Sequence, residues 1–327
     1  MGCLCCSEEI QTFDKKSTYE DIVKNINDIN LLDDCDIYVF IDCSRSNLYK
    51  DGTTEHDLQF PYKKNNIVTN KYIFSIEMLN KLTSLSKTKI SKIQCKLFFY
   101  GTTKAEKNID KVEEIKVNYD HETNTIINKD TNSCKNIDEL ITSYIAGIKC
   151  IRNKDLHIKY GANEFHKNSD YTNCVKRALK EIKTTKKFSI CYIITNCICN
   201  NICTCGCGKK SIEEIFNSSS EPLVIVCICI GDSNEYYETL KSIDKFEYNN
   251  LEKQYGSNNN NFREYAKINR KFDNFTVILM KDIIKRPIVS DSLKNEYFRV
   301  IFNELPKQYK YIQNVNILNY KPLKYNT

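Results

Sequence analysis

Apolar positions along the chain alternate between two spacings. Tyr19, Ile22, Val23, Ile26 and Ile29 recur at helical intervals, and Ser17-Thr18-Tyr19-Glu20 ahead of them has capping-box spacing. Ile37-Tyr38-Val39-Phe40-Ile41 is an unbroken apolar run, which predicts a strand buried on both faces. Tyr72, Ile76, Leu79, Leu82 and Leu85 predict a helix, and 95–100 a second strand. Residues 113–127 alternate weakly around Asp120 and His121 and predict an edge hairpin. Ile137, Leu140, Ile141, Tyr144, Ile145 and Ile148 form one helical face, and Val175, Ala178, Leu179 and Ile182 another. Strands are predicted at 189–195, 223–230 and 275–280. Further helices are predicted around Tyr236, Leu240 and Ile243, and from Leu293 through Tyr297, Phe298, Val300 and Ile301, the latter behind cap-type Ser290 and Asp291.

Strand and helix in alternation, with unbroken apolar strands, predict an α/β domain: a mainly parallel central sheet with helices on both faces. No internal repeat interrupts the order, and the Asn-rich stretch 257–261 reads as a loop insertion. Open sheets of this kind bind ligands beyond the carboxyl ends of their strands. The loops after Ile41, Tyr100, Thr195 and Ile230 are therefore where function is expected. The loop after Ile41 carries no Gly-rich phosphate cradle, and Gly231 stands alone after its strand, which argues against dinucleotide and P-loop chemistry.

Composition narrows the class further. The chain has 327 residues, 41% of them apolar and 28% charged, with a mean hydropathy of −0.50. That length accommodates one large or two small domains. No run of eighteen apolar residues exists, so no spanning helix is expected. A net charge of +6, without a long basic stripe, predicts no nucleic-acid partner.

Candidate chemistry begins where the first strand ends, at Asp42-Cys43-Ser44-Arg45-Ser46-Asn47. A carboxylate and two hydroxyls on alternate residues direct three oxygens into one crevice, the ligand type that hard cations such as Mg2+ take. This loop resembles that of the von Willebrand factor A domain in its copine-type version. The plant copine-like RING ubiquitin ligases, N-myristoylated proteins, are the form the sequence is most similar to. Asp42 to Asn47 looks like the copine D-x-T-x-S-N. Cys134-Lys-Asn-Ile-Asp-Glu-Leu-Ile-Thr-Ser-Tyr144 is similar to the family's C-x-G-I-x-x-V-x-x-x-Y helix. Tyr160-Gly161-Ala162-Asn163-Glu164-Phe165 stands where the family has Y-G-P-T-N-F. Phe272-Asp-Asn-Phe275 and Leu305-Pro-Lys-Gln-Tyr309 resemble two C-terminal signatures that are unusual in other A domains.

The resemblance implies a Rossmann-like von Willebrand factor A domain over 17–320, after an N-terminal acylation segment at 1–16 and before a tail at 321–327. It also implies a metal-ion-dependent adhesion site that recruits a carboxylate from a protein partner and breaks no bonds. Asp42, Ser44 and Ser46 match the first ligand loop. The family's Thr ligand falls on Asn163 and its Asp ligand on Asn196. The second departure removes a negative charge, so Mg2+ or Mn2+ is expected to bind weakly. A polar crevice that keeps the fold without metal is the alternative.

Seventeen cysteines require sorting. The N-terminus lacks the long apolar core of a secretory signal, so an intracellular chain with reduced thiols is expected. Gly2 stands where myristate attaches after Met1 removal, although Cys6 occupies the usual Ser/Thr position. One acyl chain anchors only marginally, and Cys3, Cys5 and Cys6 supply palmitoylation candidates for a second. Anchoring at the cytoplasmic face of a membrane follows as an expectation. Cys197, Cys199, Cys203, Cys205 and Cys207 place five thiols in eleven residues. Zn2+ binding, a second palmitoylated patch and an exposed reduced loop all remain open there. Cys35, Cys95, Cys191, Cys227 and Cys229 lie in or beside apolar strands and are expected in the core. His56, His121, His157 and His166 are scattered, without a ligand-spaced carboxylate or thiol.

The C2 domains of copines and the RING of the plant ligases have no counterpart in the chain. The expected function is therefore a membrane-anchored adaptor that binds a protein through the top of the sheet and catalyses nothing itself. A component of a ubiquitin-ligase pathway and a zinc-bearing structural module are the alternatives.

Overall fold

The computed structural model describes residues 17–43, 47, 55–56, 70–86, 94–100, 118–120, 125–127, 137–151, 172–196, 207–231, 241, 244, 270–283, 291–315 and 317. The elements are α1 (Tyr19–Asp28), β1 (Cys35–Asp42), α2 (Lys71–Thr83), β2 (Gln94–Tyr100), β3 (Asn118–Asp120), β4 (Thr125–Ile127), α3 (Ile137–Ile151) and α4 (Thr172–Thr185). They continue through β5 (Phe188–Thr195), α5 (Cys207–Ser218), β6 (Leu223–Cys229), β7 (Phe275–Leu279), a single turn α6 (Met280–Ile283), α7 (Asp291–Phe302) and α8 (Leu305–Asn314).

Among the described residues, five strands form one sheet in the order β2-β1-β5-β6-β7, every pair parallel. Each residue of β1, β5, β6 and β7 is buried, as their unbroken apolar runs predict. Alternate side chains serve two cores. Ile37, Val39, Ile41, Ile190, Tyr192, Ile194, Val226 and Ile228 face α1, α2, α3, α7 and α8. Tyr38, Phe40, Cys191, Ile193, Ile225, Cys227 and Val277 face α4 and α5. Burying one such side chain stabilises the fold by about 1.5–3 kcal/mol, so two filled faces hold the sheet against the entropy of ordering it.

Several local expectations shift. The helix start falls one residue later than Ser17 and Glu20 imply: Thr18 caps α1, its Oγ1 accepting from the Asp21 amide at 3.2 Å while Asp21 Oδ2 accepts from the Thr18 amide at 2.8 Å. Residues 118–120 and 125–127 do pair antiparallel, but as a separate two-stranded sheet beside α3 and not at the edge of the main sheet. Local alternation encodes a hairpin without saying where it docks. Ile145 is exposed and Ala146 buried in its place, because the packed stripe of α3 runs through Leu140, Tyr144 and Ile148. Met280 leaves the strand and opens α6. The helix expected around Tyr236, Leu240 and Ile243 falls outside the described residues, apart from positions 241 and 244, both helical. No helix among the described residues is long and apolar enough to cross a membrane.

The chain leaves β1 for β2 on one side, then crosses to β5 on the other. The carboxyl ends of β1 and β5 therefore flank the point where the winding reverses, the position at which such sheets leave a crevice.

Candidate functional site

Asp42, the last residue of β1, is fully buried. A buried carboxylate is costly unless donors surround it, and β5 supplies them. Asp42 Oδ2 accepts from Thr195 Oγ1 at 2.8 Å and from the Asn196 amide at 3.3 Å. Strand β5 thus meets β1 through a charge-assisted hydrogen bond, and the Asn196 backbone lies beside Asp42. Burial, and after it the Asp42 charge, pushes the Tyr72 and Tyr100 hydroxyls well above the ordinary phenol range, so both remain neutral.

Asn196 leaves β5 against Gly231. A Cβ at position 231 would sit 2.0 Å from the Asn196 carbonyl oxygen and 2.5 Å from its Oδ1. The glycine is required there by close approach. Beside it, Lys71 donates from Nζ to the Ile230 carbonyl at 3.0 Å and pairs with Glu55 at 3.5 Å.

The Asp42 carbonyl oxygen is a second hub. Asn47 Nδ2 lies 3.0 Å from it, His56 Nε2 3.0 Å and the Tyr72 hydroxyl 2.9 Å. Tyr72 has one hydroxyl hydrogen, and its shorter contact is 2.6 Å to Asn47 Oδ1. The two carbonyl lone pairs are then filled by Asn47 and His56. Thr195 and His56 both carry site geometry that the sequence reading left unassigned. A polar residue closing an apolar strand was a usable signal for Thr195; His56 offered none.

Ser44, Ser46 and Asn163 lie outside the described residues, as do the acylation candidates Gly2, Cys3, Cys5 and Cys6 and the thiols Cys197, Cys199, Cys203 and Cys205. Cys207 does not belong to a loop: its backbone is the first residue of α5. Among the described residues, no group of three or more His, Cys, Asp or Glu is arranged to hold a metal ion. The donor set around Asp42 is oxygen-rich and matches a hard cation in kind. In charge it offers the Asp42 carboxylate, with Oδ2 already taken by two donors, and a neutral amide at Asn196.

Cys35, Cys95, Cys191, Cys227 and Cys229 are buried, as expected of core residues. The two C-terminal signatures build a corner of the fold away from the crevice. Phe272 stacks on Tyr311, and Asn274 donates from Nδ2 to the Ile215 carbonyl and to Ser218 Oγ, both at 2.9 Å, closing the end of α5. Pro306 lies in the first turn of α8, and Tyr309 packs edge-on against Phe188 at 4.8 Å.

The profile of the Copine family matches residues 109–321. No curated protein matches the chain at a significant level. The matched segment covers well over half of the chain and runs from the β3–β4 hairpin through β5, β6 and β7 to α8. The parallel five-stranded sheet covered on both faces is that of a Rossmann-like von Willebrand factor A domain, and with this fold and this match the chain belongs to the copine family.

Proposed function

We propose that the protein is a membrane-anchored adaptor that binds another protein through the crevice at the carboxyl ends of β1 and β5. A copine domain is a protein-interaction module, which supports a protein partner. The observation that carries the reading is the convergence of Asp42, Thr195 and Asn196 where the winding reverses. Strands joined by such contacts present polar atoms of separate loops to one ligand. Ser44, Ser46 and Asn163 complete the oxygen set in this reading, and an acidic side chain of the partner docks on it.

Mg2+ or Mn2+ would be held weakly by Asp42 and the neutral oxygens, and would supply the positive charge that attracts the partner's carboxylate. Acyl chains on Gly2 and on one or more of Cys3, Cys5 and Cys6 would hold the chain at the cytoplasmic face of a membrane. The kinship with plant ubiquitin ligases and a zinc role for the 197–207 thiols draw no specific support from the described residues.

The test is affinity capture with the full chain, in Mg2+ or with chelator, comparing the unaltered protein with Ser44→Ala. Partners held through the crevice are lost with Ser44→Ala and reduced by chelation. A partner set unchanged by both overturns the reading. Elemental analysis of the same preparation reads zinc directly, and one Zn2+ per chain would favour the structural module.

A further inference from the structure

We infer that His56 is the positioning residue of the crevice, holding the first ligand loop through the Asp42 carbonyl; the inference rests on the crevice being the binding site. A carbonyl oxygen only accepts, so the 3.0 Å contact requires the hydrogen on His56 Nε2. In the neutral ring Nδ1 is then an acceptor, and the Tyr144 hydroxyl, 3.0 Å away, donates to it. The Tyr144 oxygen in turn accepts from Asn70 Nδ2 at 3.1 Å. Asn70 Nδ2 also donates to the His56 carbonyl at 2.9 Å, while Asn70 Oδ1 caps α2 by accepting from the Ile73 amide at 2.8 Å.

Each polar atom in this chain has a partner of the right kind, and the direction of donation is set from the α2 cap to the strand end. The imidazole is further clamped by stacking on Tyr72, with ring centroids 4.2 Å apart and planes at 22°. Tyr144 lies 6.0 Å from both rings.

The second grip on the same carbonyl comes from Asn47, and the Glu55 amide donates to the Asn47 carbonyl at 2.9 Å. Asn47 and His56 are thereby fastened to each other and to Asp42. Asp42 and Asn47, which bracket Ser44 and Ser46 in the sequence, are thus held by one hub. His56 touches no ligand in this arrangement and acts through Asp42 and Asn47, as outer-shell partners orient the groups that do bind.

The test uses the full chain and two readouts that need no ligand. Long-range proton–nitrogen spectra of histidine-labelled protein, with His56 assigned by its loss in His56→Gln, read the tautomer. Hydrogen exchange read by mass spectrometry follows peptides covering 42–56, with β5 as the internal reference. His56→Phe keeps a ring on Tyr72 and removes both nitrogens; His56→Gln keeps an amide donor near the Nε2 position. We expect the Nε2–H tautomer, exchange in 42–56 about five- to tenfold faster in His56→Phe, as for the loss of one hydrogen bond, and recovery in His56→Gln. An Nδ1–H tautomer, or equal exchange in all three proteins, overturns the inference, as does faster exchange that spreads equally into β5.

Affinity capture separates the two readings. If Ser44→Ala loses partners and His56→Phe keeps them, the inference about His56 fails while the crevice stands. If Ser44→Ala keeps them, the crevice fails as the binding site, although the tautomer and exchange results still report the clamp.

Discussion

Asp42 is a buried charge satisfied from a strand far away in sequence, and that makes Thr195 a structural key to the site. Removing its hydroxyl in Thr195→Val leaves the carboxylate short of its 2.8 Å donor. Hydrogen bonds to charged groups contribute about 1.5–3 kcal/mol, so urea unfolding of the variant should show a loss of that size, and Thr195→Ser should recover most of it. Equal midpoints for Thr195→Val and the unaltered chain would show that Thr195 is not what satisfies Asp42. At this scale the sequence shows Asp42, because a carboxylate closing a core strand is conspicuous, and it shows Asn196 through the family pattern. Thr195 reaches Asp42 across 153 residues and His56 reaches it across 14. Neither partnership leaves a mark in local spacing, since each depends on where the chain returns.

Helices α5 and α8 show what local reading passes over. Ile212, Ile215 and Phe216 have helical spacing and are fully buried, but they follow a run of cysteines and glycines that reads as loop. Leu305, Gln308 and Ile312 form the buried stripe of α8 behind Pro306, a residue that also suits a turn. The start of α8 carries a titratable contact: Glu304 Oε2 accepts from Thr276 Oγ1 at 3.3 Å, and Gln308 Nε2 donates to the same hydroxyl at 3.3 Å. Burial, aided by the Asp273 charge, raises Glu304 to about 7, against the opposing pull of Thr276, Lys307 and Arg270. Asp244 and Asp273 are raised as well, chiefly by burial, and Asp244 further by Glu304.

The folded chain therefore holds the Glu304 proton more tightly than the unfolded chain does. Its contribution is complete below the ordinary value of 4.5 and is lost as pH rises through about 7. Stability should fall by on the order of 2 kcal/mol between about pH 5 and pH 7.5. Glu304→Gln should flatten that slope and melt higher than the unaltered protein at pH 8. An unchanged slope in the variant would assign the pH dependence elsewhere.

At the scale of the molecule, both faces of the main parallel sheet are covered, and its thiols report that cover. Burial pushes Cys35 and Cys191 well above the ordinary thiol range, and Cys95, Cys174, Cys227 and Cys229 are also buried. Only the thiolate reacts with alkylating reagents, so these six should resist iodoacetamide until urea unfolds the domain, whereas half-buried Cys43 reacts ahead of them. Early labelling of Cys191 would contradict a closed sheet. By itself the sequence determined the alternation of strand and helix, the burial of the strands on both faces and the carboxylate at the end of β1, because hydrophobic periodicity is a local property written in consecutive residues. The tertiary structure alone decided that β5 lies beside β1, so that Thr195 and Asn196 satisfy Asp42, and that His56 is clasped between α3 and the Asp42 carbonyl. Strand order and side-chain convergence depend on which distant segments exclude water together, and no stretch of neighbouring residues records that choice.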